Sequence, residues 1–382
     1  MTKSTALHDL HAQLGASFTD FGGWDMPLKY GSELAEHRAV RESAGIFDLS
    51  HMGEVRVTGA DAAAFLDFAL LAKYSIVTVG RAKYGLILDA SGGVLDDLIT
   101  YRLADDQFLV VPNAGNAPVV AEALVARAEE FASQRVPGAD VTVTDESADT
   151  SLVAVQGPRS EAVVRTVARE ADQQGIEELG YYGWMTTGLA TASGEVEVLL
   201  ARTGYTGEDG FEIYLGNADA QPVWEALVAG AQVAGIALTP CGLASRDSLR
   251  LEAGMPLYGN EITLQTTPAD IGMGKMAVNA LKREHLFARE AIERQAESEP
   301  ERVLVGLASD GRRAARAGSA VLVDGQEVGT VTSGQPSPTL GHPVALAFLD
   351  RAHAAKGTEL DVDIRGRSHP FRVVPTPFYK RA

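Results

Sequence analysis

The sequence predicts an α+β protein that carries a separate β-rich domain at its C-terminus. Helical and strand patterns follow one another through residues 1–300, without the strict alternation that a doubly wound parallel sheet requires. From Glu301 the chain changes to short strands separated by turns, as in "RVLVGLA" and "SAVLVDGQEVGTVTSG". We therefore expect an α+β region over 1–300 and a small barrel or sandwich over 301–382, joined by the polar stretch "RQAESEPER".

The helices of the first region are marked by their caps and their periodicity. "GSELAEHRAVRESAG" predicts a helix that is capped by Ser32 and ends at Gly45. "SLVAVQGPRSEAVVRTVA" predicts a strand that runs into a helix with Pro158 in its first turn. Three further amphipathic segments predict helices: "GADAAAFLDFALLAK", "NAPVVAEALVARAEEFASQ" and "QPVWEALVAGAQVAG".

Two segments of the first region predict pairs of strands. In "YGLILDASGGVLDDLITYRL" two apolar runs flank a turn cluster, which is typical of a hairpin. In "EVEVLLARTGYTGEDGFEIYL" two strands flank a glycine-rich loop. The turn-rich stretch "VTSGQPSPTLG" of the second region is, taken alone, typical of a surface loop.

Composition excludes several classes of protein. The 382 residues carry a formal charge of −18, which argues against a nucleic-acid partner. The N-terminal stretch lacks an apolar signal core and no window reaches the length of a membrane span, so we expect a soluble, cytoplasmic protein without a membrane partner. Cys241 is the single cysteine, and no histidine or cysteine spacing is typical of a metal site. No G-x-G-x-x-G follows a strand, which argues against a dinucleotide site.

The first hairpin contains two adjacent aspartates, Asp96 and Asp97, in its second strand. Alternate residues of a strand point to opposite faces, so Asp97 falls in the apolar row of Leu95, Ile99, Tyr101 and Leu103. Asp96 shares its face with Thr100 and Arg102, and is interpreted as an exposed charge near the end of the strand. A carboxylate among apolar neighbours needs a partner or a raised pKa. Asp97 is therefore either a structural acid or a functional one: an acid, a base or a ligand-orienting group.

The glycine-rich loop "RTGYTGEDGFE" admits two interpretations. Such a composition is usually that of a mobile hairpin loop. Alternatively, Glu208 and Asp209 lie where the backbone can approach a ligand, and Glu208 can bind the guanidinium-like edge of a heterocycle through both oxygens.

The segment "CGLASRDSLRLEAGMPLYG" predicts a short helix on which Arg246 and Arg250 share one face. They are either a solvated pair near Asp247 and Glu252, or a site for a ligand that bears a carboxylate. The lone His51 is interpreted as a structural residue.

Taken in order, these motifs resemble one family, the tetrahydrofolate-dependent T protein of the glycine cleavage system. The resemblance runs from end to end through "DFGGWDMPLKY", "GIFDLSHMGE", "SGGVLDDLI", "QGP", "RTGYTGEDGFE", "GLASRDSLRLEAGMPLYG", "VTSGQPSPTLG" and "PFYKR". It implies a three-domain cloverleaf, in which two interleaved α+β folate-binding domains and a β-rich, barrel-like C-terminal domain surround a central opening.

The resemblance also implies an activity, aminomethyl transfer. The aminomethyl carbon moves from the dihydrolipoyl arm of lipoylated H protein to tetrahydrofolate, giving 5,10-methylenetetrahydrofolate and ammonia. Tetrahydrofolate is then the acceptor substrate, and neither a metal nor a flavin is implied. Docking of the H protein calls for a local basic patch, for which Arg312, Arg313 and Arg316 are candidates.

The same resemblance assigns roles to individual residues. It implies that Asp97 is the essential catalytic aspartate beside the folate. The implied folate-binding residues are Met52, Tyr84, Asn113, Tyr181, Tyr182, Glu208 and Arg246.

Two weaker alternatives share the folate-binding scaffold. One is a folate-dependent demethylase, and the other is a folate-binding iron–sulfur assembly factor. The assembly factors carry a K-G-C-Y-x-G-Q-E-type motif, whereas the cysteine here lies in "TPCGLAS". The chain departs from the family pattern in segment 271–290, where Met276 lies near the usual tryptophan and Ala288 replaces a glycine.

Overall fold

The computed structural model describes residues 2–381 of the chain. The α-helices are α1 His8–Gln13, α2 Glu33–Glu42, α3 Ala62–Ala69, α4 Ala117–Glu130, α5 Ser160–Arg165, α6 Gln173–Glu178, α7 Ala220–Val233, α8 Leu243–Glu252, α9 Gly274–Ala280 and α10 Arg289–Ala296. A π-helical turn, Phe131–Arg135, continues α4. Short 3-10 turns occur at Glu170–Asp172, Asn217–Asp219 and Arg351–His353.

The strands fall into two groups along the chain. The α+β region contains β1 Ser17–Phe21, β2 Trp24–Lys29, β3 Ala44–Asp48, β4 Val55–Thr58, β5 Arg81–Leu88, β6 Val94–Ala104, β7 Gln107–Pro112, β8 Thr142–Asp145, β9 Thr150–Gln156, β10 Trp184–Thr191, β11 Gly194–Ala201, β12 Gly210–Gly216 and β13 Leu238–Pro240. The C-terminal part contains β14 Arg302–Ala308, β15 Ala320–Val323, β16 Gln326–Pro336, β17 Pro343–Asp350, β18 Glu359–Asp363 and β19 Ser368–Val374.

Two sheets of the α+β region are interleaved along the chain. A six-stranded sheet has the order β10-β11-β12-β9-β3-β13, and a five-stranded sheet has the order β5-β6-β7-β4-β8. Strand β3 enters the first sheet before the chain builds the second, and β9 then returns to pair with β3. The chain therefore crosses between the two units twice, which confirms the predicted interleaving.

The C-terminal strands close into a barrel in the order β14-β17-β16-β15-β18-β19. Its inward-facing residues are small or branched apolar side chains, among them Leu307, Val321, Val331, Ala347 and Val362, all at most 1% exposed. Alternating short strands with turns between them close in this way because a barrel leaves no strand edge unpaired. The predicted barrel-like C-terminal domain is confirmed.

Helix α2 begins as predicted but ends earlier than predicted. The Ser32 hydroxyl caps it by accepting a hydrogen bond of 3.3 Å from the backbone N–H of Ala35. The helix ends at Glu42, and Gly45 is already the second residue of β3. A Cβ at position 45 would lie 2.5 Å from Val40 and 2.7 Å from Cys241, so the glycine allows strand and helix to pack closely. Gly45 is therefore required for close packing of β3 against its neighbours, and it does not end the helix.

The α+β region and the barrel are joined by a polar group with a buried centre, here called the junction cluster: His37, Arg41, Glu252, Ser337 and Thr339. Glu252 accepts hydrogen bonds from the Arg41 guanidinium (2.8 Å), the Thr339 hydroxyl (2.7 Å) and the Ser337 hydroxyl (2.5 Å). His37 Nε2 lies 3.2 Å from Glu252 Oε2. Ser337 and Thr339 belong to "VTSGQPSPTLG", so the interpretation of that stretch as a surface loop is wrong: its hydroxyls meet a carboxylate that is distant in sequence.

Replacing Glu252 with Gln is expected to lower the free energy of unfolding by about 2–4 kcal/mol, because the carboxylate to which Arg41, Ser337 and Thr339 donate loses its charge and Arg41 keeps only its ion pair with Glu208. Burial by itself would raise the pKa of Glu252, but His37, Ser337 and Arg41 hold that pKa at about 2. The lowered pKa means that the stabilisation is present above the ordinary carboxyl pKa and is lost as pH falls towards 2. Urea denaturation at pH 7 measures the change, with the exposed Glu225→Gln as a control that stays within about 0.5 kcal/mol. A loss below 1 kcal/mol for Glu252→Gln would contradict the role given to the cluster.

Candidate active site

The two sheets of the α+β region pack face to face through a shared core. This core combines Tyr101 and Val111 of the five-stranded sheet with Phe47, Leu152 and Tyr214 of the six-stranded sheet. The Tyr101 hydroxyl lies 3.2 Å from the Tyr214 hydroxyl, so a polar contact also crosses between the sheets. Strand β6, which carries the two aspartates, therefore runs along the boundary between the two units.

Asp97 lies half-buried on β6 and is held by two side chains. The Tyr84 hydroxyl donates to Asp97 Oδ2 at 3.0 Å, and the Asn113 amide donates to Asp97 Oδ1 at 2.9 Å. Burial raises the pKa of Asp97 to about 6, although the hydrogen bonds from Tyr84 and Asn113 act to lower it. A carboxyl group with this pKa can accept or release a proton near neutral pH, as the strand-face argument anticipated.

The interpretation of Asp96 as an exposed charge is wrong. Asp96 is 0% exposed and accepts hydrogen bonds from the Asn113 backbone N–H (2.8 Å), the Asn113 amide (2.9 Å) and the Asn116 amide (2.9 Å). Its strand face is the fully covered one, because Leu98 on the same face packs against α3 and α4. Arg102 does not contact Asp96 and donates instead to the carbonyl of Val77 at 2.8 Å.

A second buried carboxyl group, Glu212 on β12, faces the boundary between the sheets. The Thr203 hydroxyl donates to Glu212 Oε2 at 2.5 Å, and the Tyr101 hydroxyl lies 3.4 Å from the same oxygen. The Arg246 guanidinium is close enough to counter the rise in the pKa of Glu212 that burial causes. This carboxyl group and guanidinium are thus neighbours at the sheet boundary, without a hydrogen bond between them.

The Arg246 guanidinium lies over the ring of Tyr205, 4.7 Å from its centroid. Burial lowers the pKa of Arg246, and Tyr205 and Glu212 oppose that change. Within residues 2–381 the guanidinium makes no hydrogen bond or ion pair with the protein. Because its N–H donors are not used by the fold, they are available to a ligand.

Three half-buried tyrosines, Tyr84, Tyr182 and Tyr205, belong to the same region: Tyr84 donates to Asp97, and the Tyr205 ring lies against the Arg246 guanidinium. We call them the tyrosine cluster. Burial raises the pKa of Tyr84, and Asp97, Tyr205 and Tyr182 each raise it further. Asp97 and Arg246 both lie close enough to Tyr205 to shift the pKa of its phenol, which burial raises most. The site therefore has an acidic end at Asp97, an aromatic middle and a mixed-charge end.

Other predicted residues are brought to the same region. Asn113 contacts Asp97 directly, while Met52 and Tyr182 pack at the edge of the core shared by the two sheets. The Tyr181 ring lies 4.8 Å from that of Tyr182, but Tyr181 is 44% exposed. It lines an outer groove of about 510 Å³ in which Glu208 is also found.

Glu208 is not brought together with Asp97. Its Oε1 accepts a hydrogen bond of 3.0 Å from Arg41, which also holds Glu252 of the junction cluster. Tyr379 lies close to the same carboxylate, since burial and then Glu208 raise the pKa of the Tyr379 phenol. With its carboxylate engaged in this way, Glu208 is a poor partner for a bidentate contact with a heterocycle.

Sequence reasoning missed Glu212, although the signal was present. On β12, Phe211 and Ile213 face the apolar core of the six-stranded sheet, so Glu212 points to the opposite face together with Tyr214. A carboxylate beside a buried tyrosine on a strand is the same anomaly that distinguished Asp97. On β12, the strand that follows the glycine-rich loop, the same alternation distinguishes Glu212.

Arg250 shares a helix face with Arg246 but serves the fold. It is 1% exposed and donates to Glu261 at 3.0 Å and to Ser333 of the barrel at 2.8 Å. The interpretation of Arg246 and Arg250 as a solvated pair is therefore wrong. Of these two arginines, Arg246 is the one whose donors have no protein partner within the described residues.

His51 lies beside this site without a partner for one of its nitrogens. It is 2% exposed, and its Nδ1 makes no hydrogen bond within residues 2–381. Burial lowers the pKa of His51 to about 4, and Arg246 lowers it further. The imidazole is therefore neutral at pH 7 and adds no charge beside Arg246.

Within residues 2–381, no group of three or more His, Cys, Asp or Glu side chains is arranged to hold a metal ion. In the same part of the chain, no helix has both the length and the apolar composition needed to cross a bilayer.

The fold places a carboxyl group of raised pKa, Asp97, and a guanidinium without a protein partner among the described residues, Arg246, near the boundary between two α+β units. Models of protein families match the chain in two parts: the GCVT N-terminal domain over 7–281 and the glycine cleavage T-protein C-terminal barrel domain over 302–380. The chain belongs to the glycine cleavage T-protein family. The predicted family resemblance is confirmed.

Individual relatives agree with this family over the whole chain. An aminomethyltransferase of Corynebacterium jeikeium is 52% identical over 99% of this chain and 98% of the relative. One of Streptomyces avermitilis is 51% identical, again over 99% and 98%. The crystal structure of glycine cleavage system aminomethyltransferase T from Bartonella henselae matches with a TM-score of 0.87 at 35% identity, covering 100% of this chain and 99% of that one.

The activity follows from these full-length matches. The chain is a tetrahydrofolate-dependent aminomethyltransferase, a transferase of glycine breakdown and one-carbon metabolism that uses tetrahydrofolate as a substrate. The family works with the H protein of the glycine cleavage system.

Proposed function

We propose that the protein takes the aminomethyl group from the dihydrolipoyl arm of lipoylated H protein and transfers its carbon to tetrahydrofolate between Asp97 and Arg246. The nitrogen lone pair of the donor expels the thiolate as the C–S bond breaks, which leaves an iminium-like carbon. Folate nitrogens attack this carbon and form two C–N bonds while ammonia leaves. The two protons released by the folate go to the thiolate and to the departing amine. The products are 5,10-methylenetetrahydrofolate, ammonia and the reduced arm.

The observation that supports this proposal best is the raised pKa of the Asp97 carboxyl group. A half-buried carboxyl group whose pKa is raised to about 6 is ionised, yet still basic, at pH 7. As an anion it either takes a proton from a folate nitrogen or stabilises the cationic carbon. Both roles act on charge that develops in the transition state, so they raise kcat more than they improve folate binding.

We propose that the remaining site residues hold the folate in place. Glu212 accepts N–H groups from the edge of the pterin, in the role that the sequence assigned to Glu208. Arg246 donates to a polar or anionic part of the folate, and the tyrosine cluster packs against its rings. Fixing the folate against the donor carbon supplies much of the rate through orientation.

We propose that the H protein docks on the C-terminal barrel, residues 301–382, which we take as a domain of its own. An exposed groove of about 700 Å³ is lined by four arginines, here called the arginine patch: Arg312, Arg313, Arg316 and Arg365. Arg316 donates to the carbonyl of Gly334, but within residues 2–381 none of the four pairs with a carboxylate. On a chain of charge −18, such a patch favours an acidic partner.

Reversing the charge of Arg312 and Arg313 to Glu is expected to raise the KM for H protein by about tenfold or more, because rim charges steer association. The KM for tetrahydrofolate should stay unchanged. Added salt should reduce the difference in the KM for H protein between the variant and the wild type. Arg135→Glu, which alters an exposed arginine outside the patch, is the matched control. An unchanged KM for H protein in the double variant would place the docking surface elsewhere.

The proposed reaction is tested by mixing aminomethyl-loaded H protein, tetrahydrofolate and the protein, and by following methylenetetrahydrofolate and ammonia. Formation of both in equal amounts is the expected result. Folate binding without transfer would refute the proposed reaction and favour a folate-dependent demethylase or a folate-binding iron–sulfur assembly factor.

A further inference from the structure

Asp96 is the buried carboxyl group next to the reacting region to which the proposed reaction gives no task. We propose that Asp96 is a positioning residue for aminomethyl transfer: it fixes the Asn113 amide that holds Asp97 in place. This inference rests on the proposed function, since it concerns the residue on which that function depends.

The hydrogen bonds around Asn113 leave its side chain one orientation. Its amide nitrogen lies 2.9 Å from three oxygens: Asp96 Oδ1, Asp97 Oδ1 and the carbonyl of Asp97. If the amide were turned over, its own carbonyl oxygen would face two carboxyl groups and a carbonyl, none of which donates when ionised. Asp96 therefore selects the orientation in which Asn113 donates to Asp97.

Asp96 is itself held rigidly enough to perform this task. Its Oδ2 accepts from the backbone N–H of Asn113 at 2.8 Å, and its Oδ1 accepts from the Asn116 amide at 2.9 Å. Asn113 follows β7 and Asn116 is the residue before α4, so both donors belong to the connection between β7 and α4, and Asp96 is 0% exposed. A fully covered carboxyl group that accepts three hydrogen bonds is held in one position. It therefore holds the Asn113 side chain in one position as well.

The charge of Asp97 also affects the ionisation of Asp96. Burial raises the pKa of Asp96, and the charge of Asp97 raises it further. The other titratable or charged groups that act at this place are Tyr84 on β5, Tyr205 with the nearby Arg246, and Tyr258. The pKa of Asp96 reaches about 7 and that of Asp97 about 6, so Asp97 is the member of the pair that ionises first as pH rises.

The test compares Asp96→Asn with the exposed Asp105→Asn at the far end of the same hairpin. For Asp96→Asn, kcat should fall about 10- to 100-fold, as expected when a reacting group is displaced slightly. The KM for tetrahydrofolate should change little. The acid limb of the kcat profile should stay near pH 6, because burial is what raises the pKa of Asp97. Asp105→Asn should match wild type in every measurement.

A second comparison shows whether Asp96 acts through Asn113. In an Asn113→Ala background, adding Asp96→Asn should lower kcat little further, since the amide that Asp96 positions is already absent. Fully multiplicative losses would show that Asp96 acts by another route and would overturn the proposal. A loss in the single variant that appears in the KM for tetrahydrofolate and not in kcat would indicate a structural role only and would overturn it as well.

Two controls keep the outcome decisive. If Asp96→Asn does not fold, Asn116→Ala removes one donor to Asp96 without touching Asp97, and a several-fold fall in kcat at unchanged folate affinity is then expected. Unchanged kcat in Asn116→Ala would overturn the proposal. Wild-type turnover is measured alongside: its absence refutes the proposed function itself, whereas wild-type turnover with an unaffected Asp96→Asn refutes only the role of Asp96.

Discussion

Replacing Asp97 with Asn is expected to lower kcat by about 10²- to 10⁴-fold, the usual contribution of a positioned acid or base. Asn keeps the shape of the side chain and can still accept from Tyr84, but it carries no negative charge and takes up no proton. Steady-state formation of methylenetetrahydrofolate from loaded H protein measures the loss. Tetrahydrofolate binding, followed by calorimetry, should stay within a few-fold of wild type.

The pH dependence of the wild type provides an independent check on Asp97. Its pKa is raised above that of an ordinary carboxyl group, to about 6, so the active anion is present above pH 6 and is lost as pH falls through that value. The expected profile has an acid limb near pH 6 that is absent from whatever activity Asp97→Asn retains. Turnover of the variant near the wild-type rate, with the limb intact, would remove Asp97 from the reaction.

Replacing Glu212 with Gln is expected to weaken tetrahydrofolate binding by about 10²-fold, which corresponds to ~2.7 kcal/mol. The buried carboxylate beside Thr203 and Arg246 would lose its charge, and with it the stronger of its hydrogen bonds to a ligand. Calorimetric titration with tetrahydrofolate measures the change. The circular dichroism spectrum should remain that of the wild type.

Glu208→Gln is the matched control, because it makes the same chemical change four residues away in the same glycine-rich loop region. Glu208 is engaged by Arg41 and lies close to Tyr379, so its loss should leave tetrahydrofolate affinity within a few-fold of wild type and should lower stability instead. Weakened binding in Glu208→Gln but not in Glu212→Gln would restore the assignment made from the sequence.

Strand periodicity identified Asp97 but misjudged Asp96. The alternation of a strand shows which residues share a face, since that depends only on backbone geometry. It does not show which face the helices will cover. Helices α3 and α4 pack on the face of Asp96 and Leu98, so the aspartate judged exposed is the fully buried one.

The choice between Glu208 and Glu212 shows the same limit. Both follow the same glycine-rich stretch, and composition favoured the one in the loop. Glu208 is held by Arg41, which lies 167 residues earlier in the chain, and Glu212 meets Tyr101 of the other sheet. Contacts between residues so far apart in the chain cannot be predicted from the local sequence.

The sequence by itself determined the α+β class, the C-terminal barrel, the interleaved family architecture and the aspartate at the acidic end of the site. The class, the barrel and the aspartate follow from periodicity and turn residues, which are local properties of the chain, and the interleaved architecture follows from the family resemblance of its motifs. Only the tertiary structure decided that Arg246 remains free while Arg250 is bound by Glu261 and Ser333. Two arginines on one helix face are alike until distant segments pack against them, and that packing settles which guanidinium is left for a ligand.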